Sequence, residues 1–208
     1  MRVAVLGATG RTGREIVDEL LQRGHEVVAL VRDPEAASLP AAARTVRGDA
    51  RDASAVGQLL EGAQAAVSAL GPRRGDVTLH REVAALLVDA LPAAGVRRFV
   101  GISGAGIDVP GDAKGLRDRV VSSLIQRLGG QAVHDKAVEH SLWASSGLDW
   151  TLVRPPRLVD RQGTGEVEHS ASRSPRTTWI RRGDLARFVV ACVEQDLHVR
   201  AAPLVAGR

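Results

Sequence analysis

Seven residues near the start of the chain, Gly7-Ala8-Thr9-Gly10-Arg11-Thr12-Gly13, carry its clearest chemistry. They follow a short apolar run, Val3-Ala4-Val5-Leu6. They lead into a segment that sets Ile16, Val17, Leu20 and Leu21 on one helical face. A strand, a glycine turn and a helix in that order make a phosphate cradle. Backbone N–H groups at the helix N-terminus, with the helix dipole, attract a pyrophosphate. Side chains at the glycine positions would block that approach or strain the turn. A turn without a ligand is the competing reading, and the flanking strand and helix weigh against it. Gly7, Thr9, Gly10, Arg11, Thr12 and Gly13 are therefore candidate cofactor-binding residues.

A second candidate strand ends Val31-Arg32-Asp33, the point at which a dinucleotide fold reads the adenosine ribose. An acid there selects NAD through the 2′-hydroxyl. A guanidinium favours a 2′-phosphate through a charge-assisted bidentate contact. Arg32 at the strand end, with Arg11 as a second positive charge, favours NADP. Asp33 keeps NAD open, since a one-residue shift would present its carboxylate instead. Asp49, in Gly48-Asp49-Ala50, can face the adenine amino group or hold a local turn. Ser68-Ala69-Leu70-Gly71 closes a fourth strand with small residues, letting the backbone run beside a cofactor. Ala50, Ala69, Leu70 and Gly71 join the cofactor-binding set.

The elements that must position these residues follow from periodicity. Apolar runs suggest strands at 2–6, 26–31, 44–47, 64–70, 97–103 and 149–154, with a short one near 202–206. Helical patterns fall at 12–23, 53–61, 77–94, 115–128, 131–146 and 184–195, with Pro92 expected to end the third early. The alternation predicts an α/β fold: a Rossmann-type doubly wound parallel sheet with helices on both faces. One domain, 1–208, is expected. Two stretches, 104–115 and 155–176, are rich in glycine and proline and read as irregular. Both leave the carboxyl ends of strands, where ligands bind in open parallel sheets. Residues 155–182 are expected to form a small C-terminal substrate-binding rim.

Composition narrows the function classes. The net charge is +4, carried almost wholly by arginine in scattered pairs such as Arg73-Arg74, Arg97-Arg98 and Arg181-Arg182. With no tyrosine and two phenylalanines, the chain offers few stacking platforms, and nucleic-acid binding is not expected. No apolar stretch reaches the roughly 20 residues of a membrane span. The first strand begins at residue 2, so neither a signal nor a transit peptide is expected. The lone Cys192 excludes an intramolecular disulfide and reads as a core thiol. A cytoplasmic protein, monomeric or homodimeric, is the expectation. The six histidines show no metal-ligand spacing, and no metal is expected. Gly101-Ile102-Ser103-Gly104-Ala105 approaches a nucleophile elbow, but a glycine-rich loop stands where that motif needs a helix.

Gly7 to Gly13, Gly48-Asp49-Ala50, Ser68 to Gly71 and Ser103-Gly104-Ala105-Gly106 stand in an order that resembles the NmrA-like, atypical short-chain dehydrogenase/reductases. The G-x-x-G-x-x-G spacing resembles the same group. Lys136, Glu139 and the run Ser146-Gly147-Leu148-Asp149-Trp150-Thr151-Leu152-Val153-Arg154-Pro155 look like the family's second half. Gly163-Thr164-Gly165 and Asp184-Leu185-Ala186 match later blocks. The resemblance implies the fold and an NAD(P)(H) cofactor. Members include reductases of flavins, biliverdin and quinones, and also regulators that bind the nucleotide without turnover.

In reductase members a Tyr-x-x-x-Lys pair delivers the proton, and the lysine holds the nicotinamide ribose. Lys136 matches that lysine, but Ala132 stands four residues before it. The resemblance places Ser103 at the family's active-site serine and puts Ser103, Lys136 and Pro155 beside the cofactor. A ketone acceptor needs a positioned acid. A conjugated acceptor delocalises the charge and can take its proton from solvent, so a tyrosine-free site suits it better. Ser103 and His134 are the candidate substitutes, with His169 a weaker one. Two functions follow. One is an NADP(H)-dependent reductase of a small conjugated acceptor of flavin, quinone or biliverdin type, with Ser103, Lys136 and His134 as catalytic candidates. The other is a non-catalytic NADP(H) sensor acting through a protein partner. A sugar-nucleotide epimerase or dehydratase fits less well, since such enzymes need the Tyr-Lys pair and a larger C-terminal domain.

Overall fold

The computed structural model describes residues 1–208 except 73–74, 116–119, 121, 125–129 and 162. Among the described residues, six parallel strands form the central sheet: β1 (Arg2–Leu6), β2 (Glu26–Val31), β3 (Arg44–Arg47), β4 (Ala65–Ser68), β5 (Arg98–Ile102) and β6 (Asp149–Val153). Their spatial order is β3-β2-β1-β4-β5-β6. This is the Rossmann-type doubly wound order, with the topological switch point between β1 and β4. The helices are α1 (Arg11–Gln22), α2 (Ala53–Leu60), α3 (Leu79–Ala93), α4 (Gly130–Ser145) and α5 (Arg182–Glu194).

The central strands β1, β2 and β4 are nearly continuous runs of Val, Ala and Leu because both faces of the sheet are covered there, whereas the edge strand β3 is largely exposed. Side chains alternate across it. Val3 and Val5 of β1 pack with Ile16, Val17 and Leu20 of α1 and Val189 of α5. Ala4 and Leu6 pack on the other face with Leu59 of α2, Val83 and Leu87 of α3, and Trp143 of α4. The Phe99 and Trp143 rings stack at 3.9 Å, fixing α4 against β5. Lys136 lies seven residues before Trp143, about two helical turns, and so shares its inward face.

Two differences from the sequence expectations stand out. The stretch read as irregular at 155–176 carries short strands: β7 (Arg157–Val159) and β8 (Val167–Ser170), followed by β9 (Trp179–Arg181) and β10 (Leu204–Gly207). β7 pairs parallel with β9, and β8 antiparallel with β10. Strands of three or four residues are too short to show a period, and their partners are distant in sequence. Pro92 does not end α3 early: the helix continues to Ala93, and Val96 N–H closes it by donating to Leu91 O. The helix expected over 115–128 lies largely outside the described residues. No helix among the described residues is long and apolar enough to cross a membrane.

Candidate functional site

The glycine turn sits at the carboxyl end of β1, where the sheet reverses its order. Gly7 has φ +76°, and a Cβ there would lie 2.7 Å from Ala69 C. The turn is thus wedged against the end of β4. Gly13, in the first turn of α1, is tighter still: its Cβ would fall 2.0 Å from Gly7 O. Gly10 is the N-cap of α1 and makes no side-chain capping bond. The first N–H groups of α1 follow directly on this turn, with no acidic residue in the helix's first turn. A cradle that only glycines can line, at a helix N-terminus, suits a pyrophosphate.

A cleft of about 300 Å³ opens beside this turn, lined by Gly7, Thr9, Arg32, Asp49, Ala50 and Leu70 among others. Gly71 lies on the same wall. A second hollow of about 310 Å³ is shared by Thr9, Arg32, Asp33, Ala36 and Ala37. Arg32 is exposed there and makes no ion pair among the described residues. Asp33 instead accepts from the N–H groups of Glu35 (3.2 Å) and Ala36 (3.4 Å), so its carboxylate holds a turn. Asp49 accepts from Arg51 N–H at 3.0 Å, so its carboxylate holds a local turn, and the residue also lines the cleft. Arg11 is exposed and reaches Asp160 at 2.9 Å, away from Arg32's turn. Arg51, which sequence reasoning passed over, lines the cleft and is anchored by Asp76 and Glu82.

At the end of β5, Ser103 N–H donates to Val153 O at 2.8 Å, and Ser103 Oγ is buried with no hydrogen-bond partner among the described residues. Lys136 Nζ lies 3.4 Å from Ile102 O, beside that serine. The ammonium also donates to Glu139 Oε2 at 2.8 Å and to His80 Nδ1 at 2.9 Å. Burial, with the Lys136 charge added, holds His80 down at about 3, so the imidazole is neutral. Because Nδ1 accepts, the proton sits on Nε2, which is buried and unpartnered among the described residues. Burial pushes the Glu139 carboxyl above its ordinary range, against the pull of Lys136. Asp135 accepts from the N–H groups of His80 (3.0 Å) and Arg81 (3.1 Å), capping α3 and locking α4 to it.

His134 is exposed on α4. Two residues before Lys136, it is turned about 200° round the helix. The structure does not bring it together with Ser103 and Lys136. His169 stands elsewhere, its Nδ1 2.9 Å from His198 Nε2. Ala132 occupies α4 one turn before Lys136. Besides Arg51, sequence reasoning missed His80 and Asp135. His80 is 56 residues from Lys136, and no local pattern links them. The i, i+3 spacing of Lys136 and Glu139 was a usable sign of an ion pair.

Beyond Ser103, the loops after β5 and β6 enclose a further cavity of about 380 Å³. Pro155 is buried in its wall, its carbonyl accepting from Ala105 N–H at 3.0 Å. Nucleotide cleft, serine–lysine pair and loop-built cavity thus follow one another along the carboxyl edge of the sheet.

A parallel sheet of this order with a glycine cradle at its switch point defines a dinucleotide-binding protein. The chain belongs to the NAD(P)H-binding family, whose model matches residues 7–196. It is similar to an uncharacterized chloroplastic protein of Arabidopsis thaliana, 33% identical over 206 residues, covering 91% of this chain and 69% of that one. A 3-diazoavenalumate denitrifying reductase of a Streptomyces species is 42% identical over 113 residues, which is 48% of this chain and 36% of that protein. A short-chain dehydrogenase/reductase from Veillonella parvula, solved in complex with NADP, shares the fold with a TM-score of 0.79 at 16% identity, over 99% of this chain and 94% of that one. The chain is an NAD(P)H-binding protein with a Rossmann-type fold.

Proposed function

We propose that this chain is an NADP(H)-dependent reductase of a small conjugated acceptor. The observation that carries the reading is the continuity of the carboxyl edge. The nucleotide cleft, the unpartnered Ser103 Oγ beside Lys136, and a cavity built by the loops after β5 and β6 lie in sequence. The cradle formed by Gly7 and Gly13, which a Cβ would fill, fits the pyrophosphate. When bound, NADPH supplies the hydride.

The protein's residues do the rest. The N–H groups of Arg11, Thr12 and Gly13 hold the pyrophosphate, with Thr9 and Gly10 shaping the turn. Arg32 takes the 2′-phosphate, since Asp33 is occupied by its own turn. Asp49 and Ala50 border the adenine, and Ala69, Leu70 and Gly71 give it close passage. Lys136 holds the nicotinamide ribose, and Ser103 Oγ orients the acceptor. No tyrosine is present to give a proton. His80 is neutral and committed to Lys136, so the proton comes from solvent, which a conjugated acceptor tolerates. A cytoplasmic location and a small-molecule substrate, without nucleic acid or membrane, complete the reading.

One observation favours a second reading, a nucleotide-binding sensor working through a protein partner: the Lys136 ammonium is already engaged by Glu139 and His80. Titration of the protein with NADPH and NADH, then NADPH oxidation with flavin and quinone acceptors, separates the two. Tight NADPH binding with turnover supports the reductase. Tight binding with no turnover on any acceptor supports the sensor. Absence of nucleotide binding overturns both.

A further inference from the structure

The cavity of about 380 Å³ behind Ser103 has a chemical character that names its ligand more closely. Its body is apolar, walled by Pro155, Pro156, Pro175, Leu204 and Val205. Its charged lining residues are all basic: Lys114, Arg154 and Arg157, with no carboxylate among the described lining residues. Lys114 and Arg154 are buried, and behind the wall they share one buried carboxylate, Asp112, at 3.6 and 2.6 Å. The other acid on Lys114, Asp108, has a half-exposed side chain and is screened by water. Two cations thus face two carboxylates behind the wall, and Arg157 is the lining cation that no carboxylate pairs among the described residues.

Two groups in the lining remain to be used. Arg157 is exposed at the mouth, and its side chain makes no hydrogen bond or ion pair among the described residues. Ser174 Oγ is buried and unpartnered among the described residues. A guanidinium presents a planar fork that matches a carboxylate, and a buried hydroxyl without a partner has a donor to give. The volume is near the lower end of small-molecule pockets, roughly 300–1,000 Å³, which suits a body of one or two rings rather than a tetrapyrrole.

We infer that the acceptor is a small conjugated carboxylate, its rings between the prolines and its carboxylate on Arg157 and Ser174. This rests on the reductase reading for the site's purpose, though not for its binding preference. The test is calorimetric titration with benzoate, cinnamate and 2-naphthoate against their neutral amides, with and without saturating NADPH. At least one acid should bind about tenfold more tightly than its amide, the worth of a charge-assisted contact. Arg157→Ala should collapse that ratio towards one and leave NADPH affinity and thermal midpoint unchanged. Ser174→Ala should weaken the acid more than the amide. Equal binding of acids and amides, binding of neither, or an unchanged ratio in Arg157→Ala overturns the inference. Failure of NADPH to bind would overturn the reductase reading instead, because the acid-to-amide ratio is also read without nucleotide.

Discussion

Replacing Gly13 by alanine sets two known effects against each other. Alanine is favoured over glycine inside a helix by about 1 kcal/mol. Against this, the new Cβ would lie 2.0 Å from Gly7 O, 2.8 Å from Gly7 C and 2.9 Å from Ala8 Cα, all backbone atoms of the turn. None is the end of a flexible side chain, so α1 must move off β1. Overpacking of this kind costs about 1–3 kcal/mol. With three backbone atoms in the way the upper end applies, leaving a net loss of about 2 kcal/mol. For a chain of this size that is a fall of about 4–8 °C in Tm. Gly57 is the control. It lies exposed in α2 with nothing within 4 Å of an added Cβ. Gly57→Ala should therefore raise Tm by about 2–4 °C, from the same helix preference of about 1 kcal/mol. Thermal melts of both variants, with NADPH titrations, make the comparison. NADPH affinity should drop at least about tenfold in Gly13→Ala, since the N–H groups that face the pyrophosphate move with α1. A Gly13→Ala protein that melts at or above wild type and binds NADPH normally would refute the wedged-turn argument.

Other outcomes follow from single groups. Arg32→Ala should weaken NADPH by roughly 10- to 100-fold and leave NADH unchanged, the worth of a charged hydrogen bond; equal losses for both nucleotides would remove Arg32 from the 2′-phosphate. His80 is held at about 3 instead of 6.5, so between those values the unfolded chain takes up a proton that the folded chain refuses. Its contribution to stability is full above pH 6.5 and is lost as pH falls towards 3. Burial also lowers His140, His169 and His198, so the comparison is with His80→Asn, whose urea midpoint should fall less between pH 7 and pH 5 than that of wild type. Asp112→Ala leaves Arg154 and Lys114 buried without their shared carboxylate and should cost about 3–5 kcal/mol, read as a lower urea midpoint. Burial pushes the Cys192 thiol up to about 12, so a maleimide at pH 8 should label it in urea and not in the native protein.

The parts of the fold legible in the sequence are those with a period or a motif. β1 and β2 are legible residue for residue, because buried parallel strands are unbroken apolar runs bounded by turns. The cradle was legible because glycine has a steric reason to stand at Gly7 and Gly13 that the coordinates then supply as distances. The short strands after β6 were not legible. β7 and β8 pair with strands that follow them across long intervals, and pairs of three or four residues leave no alternation to read. His80 and Asp135 were illegible for a different reason. His80 reaches Lys136 only because Asp135 caps α3 from α4, a contact between helices more than fifty residues apart. His134, two residues from Lys136 in sequence, lies off the inward face, whereas His80 lies on Lys136 itself.

That arrangement bears on how a tyrosine-free site can work. An ammonium has three donors. Those of Lys136 are directed at Glu139 (2.8 Å), His80 (2.9 Å) and, by the longest contact, Ile102 O (3.4 Å). The first two partners hold the ammonium with a buried carboxylate and a neutral imidazole, and neither can leave without stranding a buried group. The third is the weakest bond and lies on the side of Ser103. A ribose hydroxyl can therefore engage Lys136 by displacing the Ile102 contact alone, with the other two fixing the direction of approach. On the proposed reductase reading, His80 and Glu139 would act through Lys136 as positioning residues. His80→Asn and Glu139→Gln should weaken nucleotide binding by loosening the ammonium, whereas a residue that merely fills the core would lower Tm and leave NADPH affinity intact.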